Sequence, residues 1–335
     1  MSGTMKRWQL GQPGRKHLEL AEVAIPKPGP GEALVRVSAV SLNYREKLML
    51  DGAGMPLPFV PTSDMAGEVV ATGPGVQRFK EGARVIANFQ TDWVEGPAPR
   101  QVRSLGGGAP GVLAEYVAMP EHWLVSSPGT LDDLQASTLP CAGLTAWTSL
   151  VELGGLRPGQ TVVTQGTGGV SLFAVQLASA MGARVIVVSG DEGKLARARE
   201  LGAAHGIHRR HTPDWDKAVL DLTGGRGADH ILEVVGGENL GRSASALAPG
   251  GRISLMGVLE GFEARFPVLP LFQTQGVIQG IFVGHRRGLE SLARAVDSLA
   301  LQPVIDAVYP MAEFPKALEH LDRGPFGKLV IRVRS

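Results

Sequence analysis

At 335 residues, with 44% hydrophobic and 19% charged residues, the chain can build two packed cores and lacks the polar bias of a disordered protein. Its formal net charge of +1 gives no electrostatic reason to bind nucleic acid or an acidic membrane surface. The single cysteine, Cys141, excludes an intrachain disulfide and a multi-cysteine zinc cluster.

No apolar run is long enough to span a bilayer, and the opening MSGTMKRWQL has no apolar signal core. The expected compartment is the cytoplasm.

In chain order, residues 1 to about 125 read as β-rich. A turn cluster at residues 26–31 precedes a partly alternating strand at 33–40. Further strands are expected at 68–72, 83–87 and 114–118. Residues 88–111, rich in glycine and proline from Gly96 onward, read as a long functional loop.

The pattern then changes. Residues 161–193, TVVTQGTGGVSLFAVQLASAMGARVIVVSGDEG, carry a β-branched run, a glycine turn, an Ala-rich apolar segment without proline and a second β-branched run. That order is strand, tight turn, helix, strand. Gly166 lets the chain reverse without a Cβ clash, and Gly168 and Gly169 let backbone N–H groups approach a phosphate. In a G-x-G-x-x-G reading the third glycine position is Ser171. A helix at 194–201 and strands at 229–235 and 252–256, each followed by glycine, extend the unit into a doubly wound parallel sheet.

In the tail, Leu289, Leu292, Ala293, Val296 and Leu299 fall on one helical face, and Phe314, Ala317, Leu318 and Leu321 on another. Both stripes read as core packing. Residues 329–333 form a terminal strand able to return to the first sheet. His205, His208 and His211 have a spacing that permits a metal, but the segment reads as an exposed loop and not as a metal site.

The ordered blocks Asp64-Met65-Ala66-Gly67-Glu68-Val69 with Gly73, Pro140-Cys141-Ala142-Gly143-Leu144-Thr145-Ala146-Trp147, the Gly166 turn, Pro249-Gly250-Gly251 and Gly327-Lys328 resemble the medium-chain dehydrogenase/reductase superfamily over nearly the whole chain. The resemblance implies an α/β protein. A GroES-like, β-rich catalytic domain would span 1–124, completed by 290–335, and a Rossmann dinucleotide-binding domain would span 125–289. It implies hydride transfer between a nicotinamide cofactor and a carbonyl, alcohol or activated alkene. It also implies a homodimer joined through the Rossmann sheet edge, here near residues 278–283.

Zinc members of that superfamily carry an early Cys ligand and a later Gly-His-Glu block. Here those positions read Ser41-Leu42-Asn43-Tyr44-Arg45 and Thr62-Ser63-Asp64. A catalytic zinc needs about three His, Cys or carboxylate ligands, and only Asp64 among these positions qualifies. The chain is therefore similar to the zinc-free quinone oxidoreductase and alcohol dehydrogenase-like branch, with no metal expected.

The second strand of the dinucleotide unit ends in Ser189-Gly190, where NAD-preferring proteins often place a carboxylate for the ribose 2′-OH. Uncharged Ser189, with Lys194 one helical turn on, favours NADP(H) over NAD(H); the resemblance adds Arg209, at the position after the next strand where quinone oxidoreductase relatives often carry an aromatic residue near the adenine ribose phosphate. Asp191 is the alternative ribose ligand if the turn is shifted. The expected cofactor contacts are Gly166, Thr167, Gly168, Gly169, Val170, Ser189, Gly190, Lys194 and Arg209. By resemblance they extend to Thr145, Gly257, Val258, Phe282, Val283 and Lys328.

Without zinc, charge stabilisation at the acceptor oxygen falls to Asn43, Tyr44 or Arg45, which the resemblance places beside the nicotinamide. Tyr44 is the candidate proton donor and Asn43 the candidate carbonyl ligand. Two readings stay open: the block is catalytic, or it packs and closes the cleft, with Arg45 paired to Asp64. Cys141 reads as a buried small residue rather than a nucleophile. The substrate expected is a small-molecule quinone, enone or related carbonyl. The alternatives are an alcohol or aldehyde dehydrogenase and a nucleotide-binding protein without turnover.

Overall fold

The structure is a computed structural model that describes residues 3–52, 57–101 and 103–334. It divides into two compact units, residues 1–144 with 283–335, and residues 145–282.

In the first unit the organising strand is Glu32–Ser41, most of whose residues are buried. It is rich in valine and alanine, which suit a pleated surface covered on both sides. Among the described residues, a seven-stranded sheet runs in the order Ile305–Pro310, Lys328–Arg332, Glu32–Ser41, Asp64–Thr72, Arg84–Ala87 and Leu124–Ser126, with Tyr116–Pro120 also pairing to Glu32–Ser41. The expected terminal strand does return to this sheet, with Val330 opposite Ser41 and Arg332 opposite Ala39. Its amide-to-carbonyl ladder continues into the next residue, where Leu42 N donates to Leu329 O. Lys328 is thereby set beside the segment that leads into the helix Arg45–Asp51.

The expected strand at 114–118 forms instead at Tyr116–Pro120. Ala114 bridges to Arg7, and Glu115 N donates to Lys6 O, so these residues pair with the strand Thr4–Leu10, itself antiparallel to Leu18–Ala24. The segment at 88–111, of which Val102 lies outside the described residues, is a loop apart from the two-residue strands Ser104–Leu105 and Gly108–Ala109. Its root is not a solvent loop: Asn88, Phe89, Gln90 and Thr91 are all buried. Both tail stripes lie on helices, Arg286–Leu299 and Phe314–Asp322, and are buried except Leu321 and Leu299, the latter 38% exposed at its helix end.

In the second unit the strands run, edge to edge, His205–His208, Arg184–Ser189, Thr161–Gln165, Ala228–Glu233, Leu247–Leu255 and Val277–Gly280, and every pairing is parallel. Parallel strands buried on both faces need continuous apolar runs, and Thr161–Gln165 and Ala228–Glu233 are buried throughout. The strand order reverses between those two, which makes the crevice at their carboxyl ends the topological switch point. The segment expected as an exposed histidine loop begins as the edge strand His205–His208, because its backbone continues the parallel ladder beside Ile186 to Ser189. The sheet's other edge is Val277–Gly280, shorter than expected. The chain leaves the ladder after Gly280, and Val283 has φ +62°.

Candidate functional site

The switch-point crevice carries the expected glycine turn. Gly166 has φ +72°, and its N–H donates to Val188 O at 2.7 Å. Gly168 stands at the N-terminus of the helix Gly169–Ala180. No heavy atom comes within 4 Å of where a Cβ would sit on Gly166 or Gly168. The cradle is therefore open above the unpaired N–H groups of a twelve-residue helix, a fit for a pyrophosphate. Thr167 is buried and Val170 half-buried. Ser171, at the third glycine position, is buried and donates its hydroxyl to Gln165 O at 2.7 Å, so the departure from glycine ties the helix to the strand end.

At the end of the second strand, Ser189 is buried and its carbonyl accepts from Arg209 N at 2.9 Å. A Cβ on Gly190 would lie 3.2 Å from Arg210 Nε and 3.3 Å from Arg209 Nε. Two guanidinium groups thus converge on the Ser189-Gly190 turn. The sequence pointed to Arg209 and missed Arg210. Their adjacency past a strand end was the available signal. Asp191 caps the helix Glu192–Glu200, its Oδ1 accepting from Lys194 N at 2.9 Å. Lys194 is half-buried there.

Sequence reasoning also missed Glu233. Fully buried at the switch point, it accepts from Gln165 Nε2 at 2.8 Å, from Asn239 Nδ2 at 2.9 Å, from Val235 N and Gly236 N at 2.9 Å each, and from Ser243 Oγ. A buried carboxylate needs such a full set of donors. This one pins the Gly236-Gly237 turn that follows its strand. Gly257 is pressed against that turn's approach: a Cβ there would meet Val234 O at 1.7 Å. Val258 is half-buried beside it in sequence, Phe282 is 60% exposed, and Val283 is buried. Thr145 is buried, and its carbonyl accepts from Ser149 Oγ at 2.7 Å.

The first unit gathers a second polar group. Asp64 is fully buried. Ser63 Oγ donates to it at 2.6 Å and Cys141 N at 3.1 Å. Glu46, also buried, accepts from Asn43 N at 2.5 Å. Lys328 is 3% exposed, and its Nζ donates to Leu42 O and to Asn43 Oδ1, each at 2.5 Å. Burial pushes the Glu46 carboxyl up to about 7, against the pull of Arg45. Burial likewise raises Asp64, opposed by Lys328. Burial also pushes the Cys141 thiol far up, with Asp64 adding to it, which leaves no nucleophilic thiolate. Glu46 and its burial were legible in principle, since Glu46 and Leu50 fall on one helical face at i and i+4.

Of the block expected to act on substrate, Asn43 is half-buried between Lys328 and Glu46. Tyr44 is 43% exposed, with Lys47 Nζ 5.3 Å from its ring. Arg45 donates to Leu105 O at 2.8 Å, Gly106 O at 3.0 Å and Ser104 Oγ at 3.2 Å, and lies over the Phe89 ring. It clamps the buried loop root, and among the described residues its ion pair is a 4.0 Å approach to Glu46, not the pairing with Asp64 that the sequence left open.

Among the described residues, no group of three or more His, Cys, Asp and Glu is arranged to hold a metal ion. The histidines near 205–211 are engaged otherwise. His208 and His211 stack at 3.9 Å, and His205 Nε2 faces Arg184 Nη2 at 2.6 Å. No helix among the described residues is long and apolar enough to cross a membrane.

An open glycine cradle at a Rossmann switch point is what a dinucleotide needs from a protein, and a β-rich unit completed by the C-terminal strand is the companion of a dehydrogenase or reductase. Comparison with known proteins agrees. Residues 29–129 match the alcohol dehydrogenase GroES-like domain, and residues 169–300 match the zinc-binding dehydrogenase family. The chain is 36% identical over 334 residues to a zinc-type alcohol dehydrogenase-like protein of Schizosaccharomyces pombe, covering 96% of each. It is 27% identical to the human quinone oxidoreductase, covering 93% of this chain and 92% of that one. A crystal structure from Sinorhizobium meliloti 1021, described provisionally as an alcohol dehydrogenase, superposes with a TM-score of 0.96 at 54% identity over 99% of both chains. The chain belongs to the medium-chain dehydrogenase/reductase superfamily, as an alcohol dehydrogenase-like NAD(P)-dependent oxidoreductase.

Proposed function

We propose that this chain is a zinc-independent, NADPH-preferring reductase of a quinone, enone or related carbonyl. The observation that carries the cofactor preference is the convergence of Arg209 and Arg210 on the Ser189-Gly190 turn, where a 2′-phosphate would meet two guanidinium groups. Gly166, Gly168 and Gly169 would hold the pyrophosphate. Gly257, Val258, Thr145, Phe282 and Val283 are the proposed nicotinamide contacts. The cofactor supplies the hydride. The chain's own residues bind and orient it and provide a polar environment for the acceptor oxygen.

The residues present do not fit a catalytic zinc. The available donors in the first unit, Asp64, Glu46 and Cys141, do not group to hold a metal ion among the described residues, and a catalytic zinc needs about three such ligands. A buried ammonium, Lys328, already sits in the same cluster. We assign catalysis to residues 1–124 completed by 290–335, and nucleotide binding to 125–289. Asn43 is the proposed carbonyl ligand, and Tyr44 the proposed proton donor. A cytoplasmic homodimer through the edge strand Val277–Gly280 is consistent with the apolar side chains exposed in its part of the chain, among them Phe262, Leu269, Phe272 and Phe282.

The names of the fission yeast and Sinorhizobium relatives favour a second reading, alcohol or aldehyde oxidation. One experiment separates them. Chelator-treated protein is titrated with NADPH and NADH, then assayed for oxidation of the reduced cofactor by a quinone and enone panel, and for the reverse reaction with primary alcohols. Turnover on the panel with tighter NADPH binding supports the proposal. Alcohol oxidation restored only by added zinc overturns it.

A further inference from the structure

The cluster around Asn43 is built from four stretches of chain: the segment before the helix Arg45–Asp51, the start of the strand Asp64–Thr72, Cys141, and the first residue of the C-terminal strand. Only the last brings a buried cation. Lys328 has its stem in the core and its Nζ fixed by two acceptors, Leu42 O and Asn43 Oδ1. Long ammonium side chains reach water whenever they can, so one held at 3% exposure is there for the groups around it. Those groups are acidic: Asp64, Glu46 and the Cys141 thiol all feel its charge. Asp64 and the Asn43 that the lysine holds stand in the two segments whose counterparts in zinc members of the superfamily hold metal ligands.

We propose that Lys328 is the positioning residue of this site: its ammonium sets the orientation of the Asn43 amide and supplies, from the C-terminal strand, the fixed positive charge of the cluster in place of a metal. Because Oδ1 of Asn43 accepts from the ammonium, Nδ2 is the end left to donate, and that buried atom faces the Asp64 carboxyl. The lysine thus decides which end of the amide is turned toward Asp64 and toward any acceptor oxygen beside it. The same contact anchors the block to the strand Lys328–Arg332, whose register with Glu32–Ser41 is set by the sheet and not by the site. This inference rests on the zinc-independent reading.

The test uses the full chain with Lys328→Gln, Lys328→Met and Lys328→Arg. Glutamine keeps a donor for Leu42 O and removes the charge. Thermal stability is followed across pH as a sensor of the buried acids, alongside NADPH affinity, kcat with a quinone acceptor and the metal content of the wild type. The expected result is that Lys328→Gln and Lys328→Met move the pH at which stability falls upward, because Glu46 loses a neighbouring cation. Their kcat drops about tenfold or more while NADPH affinity holds. Lys328→Arg keeps the wild-type pH profile. Asn43→Leu, which leaves the charge and the backbone N–H to Glu46 in place, lowers kcat without moving the Glu46 midpoint. It also serves as the independent variant should the neutral lysine variants fail to fold. A metal-free wild type whose Lys328→Gln form keeps both profile and kcat overturns this inference alone. Stoichiometric zinc required for turnover in the wild type overturns the zinc-independent reading and the inference with it.

Discussion

Lys328 Nζ donates to Asn43 Oδ1 across 2.5 Å, joining residues 285 positions apart in the chain. The contact exists because the strand Lys328–Arg332 runs antiparallel to Glu32–Ser41, and the ladder delivers the lysine to the end of its partner. Removing the amide leaves a buried ammonium one acceptor short. Asn43→Leu is expected to destabilise the protein by about 1–3 kcal/mol, the cost of an unsatisfied buried donor. A urea titration measures this, and a change of only a few tenths of a kcal/mol would mean that the ammonium finds water or another acceptor.

Glu46 predicts an unusual pH dependence. Its carboxyl is raised to about 7 in the folded chain, from an ordinary 4.5, by burial among Arg45, Asp64, Lys328 and Cys141. Between those values the folded state holds a proton that the unfolded state has released. Its contribution is therefore complete below pH 4.5 and is lost as pH rises through 7. Over that window the loss amounts to about 3 kcal/mol. Glu46→Gln, which keeps an acceptor for Asn43 N, should flatten the fall, read from denaturation midpoints between pH 5 and 8. Parallel profiles for wild type and variant would show that Glu46 is not the titrating group.

Two glycines separate a fold requirement from a ligand requirement. Gly257 cannot accept a Cβ, which would overlap Val234 O at 1.7 Å, so Gly257→Ala should disrupt the packing of its own strand end and lower the melting temperature. Gly168 has ordinary φ, −80°, and open space where a Cβ would go. Gly168→Ala should melt like the wild type yet bind NADPH more weakly by about tenfold or more, because the methyl occupies the cradle over the helix N-terminus. Unchanged NADPH affinity would place the pyrophosphate elsewhere.

The two arginines at Gly190 bear on cofactor choice. Both are exposed, so each contributes less than a buried pair would. Arg209→Ser and Arg210→Ser are each expected to weaken NADPH by about threefold to tenfold, and the double variant by more, with NADH affinity nearly unchanged. An equal loss for both cofactors in fluorescence titrations would assign the arginines to the pyrophosphate or to structure, not to the 2′-phosphate.

The dinucleotide unit was legible in the sequence because its signals are local. β-branched runs, a glycine with positive φ at residue 166 and an apolar helix segment follow one another within 33 residues, and the structure builds strand, turn, helix and strand from them in that order. The tail stripes and the returning C-terminal strand were legible for the same reason: periodicity reports which face of an element is buried.

What the sequence could not determine depends on which distant backbone lies alongside. His205–His208 has no strand pattern of its own. It becomes an edge strand because Arg184–Ser189 offers it a ladder. Arg45 could face an acid or a carbonyl, and the loop at Ser104 to Gly107 decides for the carbonyls. Above all, Asn43, Glu46, Asp64, Cys141 and Lys328 carry no common spacing. A long-range antiparallel register brings them together, and burial then raises the acids and holds the lysine among them. Local pattern fixes the elements of this protein. Desolvation and long-range strand pairing, which exist only in the folded chain, decide the chemistry of its polar cluster.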